Sequence, residues 1–256
     1  MVVVIGVYFS GTGNTRRCVQ QFVNQYDEHC VAISIESPDV YAAISEHDAL
    51  VIGYPVYFSN MPRIVQVFIH ENRACFAGKK VFIIATMGLF SGDGAGCAAR
   101  LLKKCGAEIT GGLHLKMPDS IGDEKALKRP LIKNQALITK ANAKITSAIH
   151  RLKEGNPTTD GLGFFSHIAG LLGQRLWFYK KSTSYKSKPD VDDKKCIGCG
   201  RCVALCPMQN IAMEQQKAVS HDMCTLCYRC FSHCPTQALT ILGKHVYEQC
   251  LVENYE

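Results

Sequence analysis

Short apolar runs alternate with longer amphipathic stretches through the first half of the chain. Residues 2–9 are almost continuously apolar, the pattern of a strand buried on both faces. Residues 31–35, 49–53, 80–86 and 108–115 repeat it in shorter form. Between them, 14–26, 62–71 and 94–105 carry apolar positions at helical spacing, and 40–45 reads as a turn or short helix. Residues 125–153 are rich in Ala and Lys and predict a long helix, interrupted around Pro130. Strands separated by helices require crossovers, and hence a parallel sheet covered on both sides. Five strands over this length make one doubly wound domain.

That rhythm stops after residue 154. Residues 154–161 are loop chemistry, with Gly155, Pro157 and Gly161. Residues 162–179 are aromatic and apolar; Phe165, Ile168, Leu172 and Leu176 recur at helical spacing, beside Trp177. This reads as a linker helix docking on a neighbouring domain, with an interfacial membrane helix as the alternative. Residues 182–189 are polar and extended. The divisions predicted are therefore 1–154, a linker at 155–189, a cysteine-rich domain at 190–242 and a tail at 243–256.

The chain has 256 residues, 47% hydrophobic and 20% charged, which is ordinary globular composition. No apolar run is long enough to span a bilayer, and the N-terminus lacks a secretion signal, so a cytoplasmic protein is expected. The net charge of +7 is dispersed in short Lys pairs, with no basic stripe interleaved with aromatics, which argues against nucleic acid.

Fourteen cysteines change the picture. Eight lie between Cys196 and Cys234, in two near-copies: Cys196-Ile-Gly-Cys199-Gly-Arg-Cys202-Val-Ala-Leu-Cys206-Pro207 and Cys224-Thr-Leu-Cys227-Tyr-Arg-Cys230-Phe-Ser-His-Cys234-Pro235. Each is C-x2-C-x2-C-x3-C-P, the ligand spacing of bacterial ferredoxins. Two-residue gaps let three thiolates curl around one corner of a cubane. A zinc site needs four ligands, commonly as two separated pairs, and has no use for the third cysteine. His233 reads as a packing residue. Cys18, Cys30, Cys75, Cys97, Cys105 and Cys250 read as buried hydrophobes.

After the first strand comes Ser10-Gly11-Thr12-Gly13-Asn14-Thr15. It is neither a Walker loop nor a dinucleotide fingerprint, since Arg16 occupies the place of the third glycine. Hydroxyls, glycines and free amides at a helix N-terminus make a cradle for one terminal phosphomonoester. Two aromatic and glycine loops follow the third and fourth strands. The first offers Pro55, Val56, Tyr57 and Phe58; the second offers Met87, Gly88, Leu89, Phe90, Gly92 and Asp93. Three such loops meeting at the carboxyl ends of one sheet point to a flavin.

These segments resemble the flavodoxin fold. Joined to the cysteine region, the whole chain resembles the EFR-type flavodoxin–ferredoxin fusion family of anaerobic bacteria and archaea. The resemblance implies a flavodoxin-like sheet of order 2-1-3-4-5, followed by a small α+β two-cluster ferredoxin domain. It implies FMN on the three loops and two [4Fe-4S] clusters. One cluster would take Cys196, Cys199, Cys202 and Cys234; the other Cys224, Cys227, Cys230 and Cys206. Ordinary flavodoxins are strongly acidic and this half is not, which argues against their usual basic partners.

Such a chain would transfer electrons between the clusters and FMN, serving a redox partner protein, either a ferredoxin-like donor or an acceptor enzyme. The alternative is a flavin-dependent reductase of a small acceptor, a quinone or an activated alkene, with Tyr54, Tyr57 and His114 as candidate proton donors. A redox or oxygen sensor is the third reading, and it leaves the flavin loops unexplained.

Overall fold

A computed structural model of the chain describes residues 4–90, 92–163 and 189–256. The apolar runs form five strands: β1 (Val4–Tyr8), β2 (Ala32–Ser34), β3 (Ala49–Pro55), β4 (Lys80–Met87) and β5 (Glu108–Lys116). They form one parallel sheet in the order β2-β1-β3-β4-β5, the flavodoxin-like topology. The helices between them are α1 (Asn14–Tyr26), α2 (Val40–Ser45), α3 (Arg63–Glu71) and α4 (Gly94–Lys104), with α5 (Leu131–Lys153) after β5. Pro130 divides the long helical region as expected: a 3-10 turn at Lys125–Leu127 precedes it and α5 starts directly after it.

Alternating strand residues feed two cores. Ile5, Val7, Ile52, Ile83 and Ala85 pack with α2, α3 and α4, through Ile44, Val65, Ile69 and Leu102. Val4, Val51, Phe82 and Ile84 pack with α1 and α5, through Phe22, Val23, Ile138 and Ile145. Strands covered on both sides explain why the sequence shows continuous apolar runs.

Residues 155–162, expected to begin the linker, instead turn back onto β5. Thr159 bridges Gly112 in parallel, and the Lys144 ammonium holds Asp160 at 3.0 Å. His114 lies in this seam; burial lowers its pKa, and its Nε2 accepts the Ala95 N–H at 3.1 Å. The aromatic stretch around Trp177 and the extended reading of 182–188 fall outside the described residues.

The cysteine-rich region holds two small antiparallel pairs: β6 (Asp190–Val191) with β9 (Leu239–Thr240), and β7 (Ile211–Glu214) with β8 (Lys217–Ser220). Two one-turn helices, α6 (Arg201–Leu205) and α7 (Arg229–Ser232), follow equivalent points of the two cysteine runs. The duplication extends to the backbone. Gly198 and Gly200 of the first run have φ of 70° and 72°; Leu226 and Tyr228, their counterparts in the second, have 60° and 59°.

The last residues do not hang free of either half. A 3-10 turn at Val252–Tyr255 buries Val252 and Tyr255 in the core beside α1 and α5. Arg16 and Arg17 pair with Glu253 and Glu256, the Val252 N–H donates to Thr12 O at 3.0 Å, and Gln249 Nε2 donates to Cys234 O at 2.6 Å. Among the described residues no helix is long and apolar enough to cross a membrane.

Candidate cofactor sites

The carboxyl ends of β1, β3, β4 and β5 release four loops around a cavity of about 310 Å³. In an open parallel sheet this is where ligands bind, because the crossovers on either side of β1 leave in opposite directions and open a crevice. Ser10, Gly11, Thr12, Asn14 and Thr15 form its floor; Pro55, Val56, Tyr57 and Phe58 one wall; Met87, Gly88, Leu89 and Phe90 another. Phe58 and Ser59 both have positive φ, 50° and 56°, and Tyr57 and Asn60 exchange backbone bonds at 3.0 Å. Such a turn holds non-glycine residues in a costly conformation, as binding loops often do.

Three of the loop residues expected at the site are absent from the cavity lining. Gly13, at φ 93°, starts α1 and packs against Val252 of the tail. Gly92 lies in the turn leading to α4. Asp93 is fully buried at the start of that helix, where its carboxylate pairs with Arg100 at 2.7 Å. A buried carboxylate needs such a partner, and this one is committed to the helix. Of the candidate proton donors, Tyr57 reaches the cavity. Tyr54 is buried with its hydroxyl on Gly94 O, and His114 is in the β5 seam.

The sequence reading missed two parts of the wall. The first is the loop 117–121 after β5, whose place was implied once that strand joined the sheet. It is stitched to the floor by Thr12 Oγ1 to Ser120 Oγ at 2.8 Å and by Asn14 Nδ2 donating to Pro118 O at 2.9 Å. The second comes from the cysteine-rich half: Leu226, Tyr228 and Leu242 close the cavity. The Tyr228 hydroxyl donates to Asp123 Oδ1 at 2.8 Å, while Asp123 Oδ2 accepts the N–H groups of Ile241 and Leu242 at 2.6 and 2.9 Å. Only the change from glycine at these positions of the second run signalled anything.

FMN fits this cavity on two observations. Asn14 Oδ1 is buried without a hydrogen-bond partner, an acceptor suited to a ribityl hydroxyl. The floor offers hydroxyls and amides, and among the described residues the lining contains no Lys or Arg, so a phosphate would be held by neutral donors and the start of α1. Among the described residues Asp119 is the one carboxylate in the lining. Burial pushes its pKa up, against the opposing pull of the Ile121 N–H, Lys128 and Arg129.

The cysteines gather around two further, much smaller cavities. One is lined by Cys196, Cys199, Cys202 and Cys234, the other by Cys206, Cys224, Cys227 and Cys230. Each run thus sends its fourth cysteine to the other run's cage. Backbone N–H groups point at the sulfurs: Asn210 to Cys206 at 3.2 Å, Leu226 to Cys224 at 3.3 Å and Ala238 to Cys234 at 3.3 Å. Amides aimed at sulfur stabilise the thiolates of a cluster. Burial pushes the Cys224 and Cys227 thiols up to about 12 and about 11, a cost that a cationic cluster core would offset. Of the six other cysteines, Cys18, Cys30 and Cys250 are buried, whereas Cys75, Cys97 and Cys105 are partly exposed.

The two halves are locked together beside these cages. Arg229 makes a two-pronged ion pair with Glu36 at 2.6 and 2.7 Å, donates to Ser10 O at 2.8 Å and lies over the Phe9 ring.

Residues 5–109 match the family model described as a flavodoxin domain, and residues 189–241 match that of a 4Fe-4S dicluster domain. No curated protein matches the chain. Among solved structures, a flavodoxin from the domain Archaea is 16% identical, covering 59% of this chain and 98% of its own, with a TM-score of 0.42. Flavodoxin 2 from Bacillus cereus gives 18%, 59%, 98% and 0.44 for the same measures. Megasphaera elsdenii flavodoxin gives 23%, 56%, 99% and 0.40.

Proposed function

We propose that this chain, which joins a flavodoxin domain to a 4Fe-4S dicluster domain, is an electron-transfer protein whose two [4Fe-4S] clusters and single FMN form one internal wire. The observation that carries this reading is the position of Cys227. It lines the cage shared with Cys206, Cys224 and Cys230, and its two neighbours, Leu226 and Tyr228, stand in the wall of the flavin cavity. A cluster in that cage is the one adjoining FMN.

The chain's residues divide the work. Ser10, Thr12 and Thr15 and the amides of their loop hold a phosphate. Val56, Met117, Leu226 and Leu242 exclude water from the cavity. The Arg229–Glu36 pair fixes the distance between the halves, so transfer does not wait for an encounter. One- and two-electron exchange is the chemistry FMN supplies when bound. The other cage faces outward: Cys199 is exposed and Ile197 is 66% exposed. A partner protein docking there would reach the cluster held by Cys196, Cys199, Cys202 and Cys234, and a second acceptor would reach a flavin through the cavity mouth. Clusters this close to solvent suit oxygen-poor metabolism.

The test is anaerobic reconstitution with iron and flavin counted in one sample; about eight irons and one FMN per chain are expected. In rapid mixing with a reduced ferredoxin, Cys206→Ala, compared at equal FMN occupancy, should slow flavin reduction by at least about tenfold. Equal rates in the variant and the parent would sink the internal wire. Potentiometry then separates the acceptors. Two resolved one-electron steps favour a partner protein; a single two-electron step favours a quinone or an activated alkene.

A further inference from the structure

In the second cysteine run, two positions that the first run fills with glycine carry large side chains. Gly198 and Gly200 correspond to Leu226 and Tyr228, and all four residues have a left-handed backbone, with φ between 59° and 72°. Glycine adopts that conformation freely and other residues do not. Leucine and tyrosine are thus held where the fold itself favours glycine. Strained backbone persists where the surroundings enforce it and where a function is served.

What differs between the two runs is what they face. Gly198 and Gly200 line the outward cage, with Ile197 exposed beside them. Leu226 and Tyr228 line the flavin cavity and are themselves 7% and 1% exposed. Tyr228 is pinned from two directions. Its hydroxyl donates to the buried Asp123, and its ring meets Phe231 edge-on with centroids 5.3 Å apart. Between the two residues, the Cys227 carbonyl abuts Gly11 of the phosphate loop.

We infer that Leu226 and Tyr228 are FMN-binding residues supplied by the ferredoxin half, standing where the first run has two glycines, so that the flavin is seated against the cluster cage of Cys206, Cys224, Cys227 and Cys230. This rests on the FMN reading above and extends it. The flavodoxin half alone would hold FMN with one wall missing, and cofactor affinity would depend on an intact ferredoxin half.

The experiment restores the first run's residues in the full, anaerobically reconstituted chain. FMN dissociation constants are measured by flavin fluorescence for Leu226→Gly, Tyr228→Gly and Tyr228→Phe, with iron content and Tm recorded on each. Gln237→Gly is the control. It relieves another left-handed residue of this domain, at φ 53°, away from the flavin cavity. Leu226→Gly and Tyr228→Gly should each weaken FMN by at least about tenfold with iron content unchanged, a loss typical of removing a buried apolar contact. Tyr228→Phe should stay within about threefold, since the ring remains in the wall. Wild-type affinity in both glycine variants overturns the inference. Loss of iron together with FMN also overturns it, because the defect then lies in the cluster cage. If the parent chain binds no FMN under any condition, the flavin reading itself fails, a result separate from any difference among variants.

Discussion

The carbonyl oxygen of Cys227 lies so close to Gly11 that a methyl group at position 11 would overlap it. One residue lies in a candidate cluster cage and the other in the candidate phosphate loop, so the two candidate cofactor sites meet backbone to backbone. Gly11→Ala must push them apart. Overpacking of this kind costs about 1–3 kcal/mol, read by urea denaturation of the loaded protein. Gly163→Ala, with no described residue within 4 Å of the added methyl, should change stability by less than about 0.5 kcal/mol. Equal effects of the two substitutions would mean the halves are not in contact there.

Asp123 ties the halves together from inside. It is 1% exposed and accepts the Tyr228 hydroxyl and two backbone N–H groups. Asp123→Ala leaves three buried donors unpaired and should cost about 3 kcal/mol or more. Tyr228→Phe strips one donor from the carboxylate and should cost about 1 kcal/mol. Chemical denaturation of both variants checks the ranking, which a reversed order would contradict.

Removal of residues 249–256 should weaken more than the terminus. The exposed arginine–glutamate pairs contribute little. Burial of Val252 and Tyr255 is worth about 3 kcal/mol together. Because the Val252 N–H donates to Thr12 O, the phosphate loop also loses a support. Both a lower Tm and weaker FMN binding are expected. A truncated chain that lost Tm alone would show that the tail does not position the loop.

Asp119 predicts a pH dependence with a definite sign. Burial raises its titration above the ordinary carboxylate value, and an anionic cofactor in the cavity it lines would raise it further. Protonated Asp119 therefore accompanies tight binding, and FMN affinity falls as pH rises through the titration. In Asp119→Asn this component of the profile should vanish, leaving the ionisation of FMN itself common to both proteins. Parallel profiles for the two would remove Asp119 from the account.

Much of the flavodoxin half was legible in the sequence because its signals are local. A strand between two helical layers must be apolar through its buried stretch, as β1, β3 and β4 are, the exposed Lys80 standing at the start of β4. The bounds of α1, Asn14–Tyr26, match the periodicity because the phosphate loop ends where the apolar stripe begins. The pairing of Asp93 was not legible, because its partner Arg100 lies seven residues on, two helical turns along α4. Thr159 and Asp160 read as loop residues, so their attachment to β5 was not legible. What holds them is β5, more than forty positions earlier.

The sequence by itself determined the alternation that makes a doubly wound sheet, the hydroxyl and glycine floor at its switch point, and two four-cysteine runs. Each follows from residue types at fixed short spacing, which backbone geometry converts directly into local structure. Tertiary structure alone decided which half completes the flavin cavity, which cage lies beside it, and what the last residues do. Those depend on Gly11 meeting Cys227, Asp123 meeting Tyr228 and Thr12 meeting Val252, pairs a hundred or more positions apart. No periodicity encodes such meetings, because they arise only when two folded surfaces with complementary shape and hydrogen-bonding groups are pressed together.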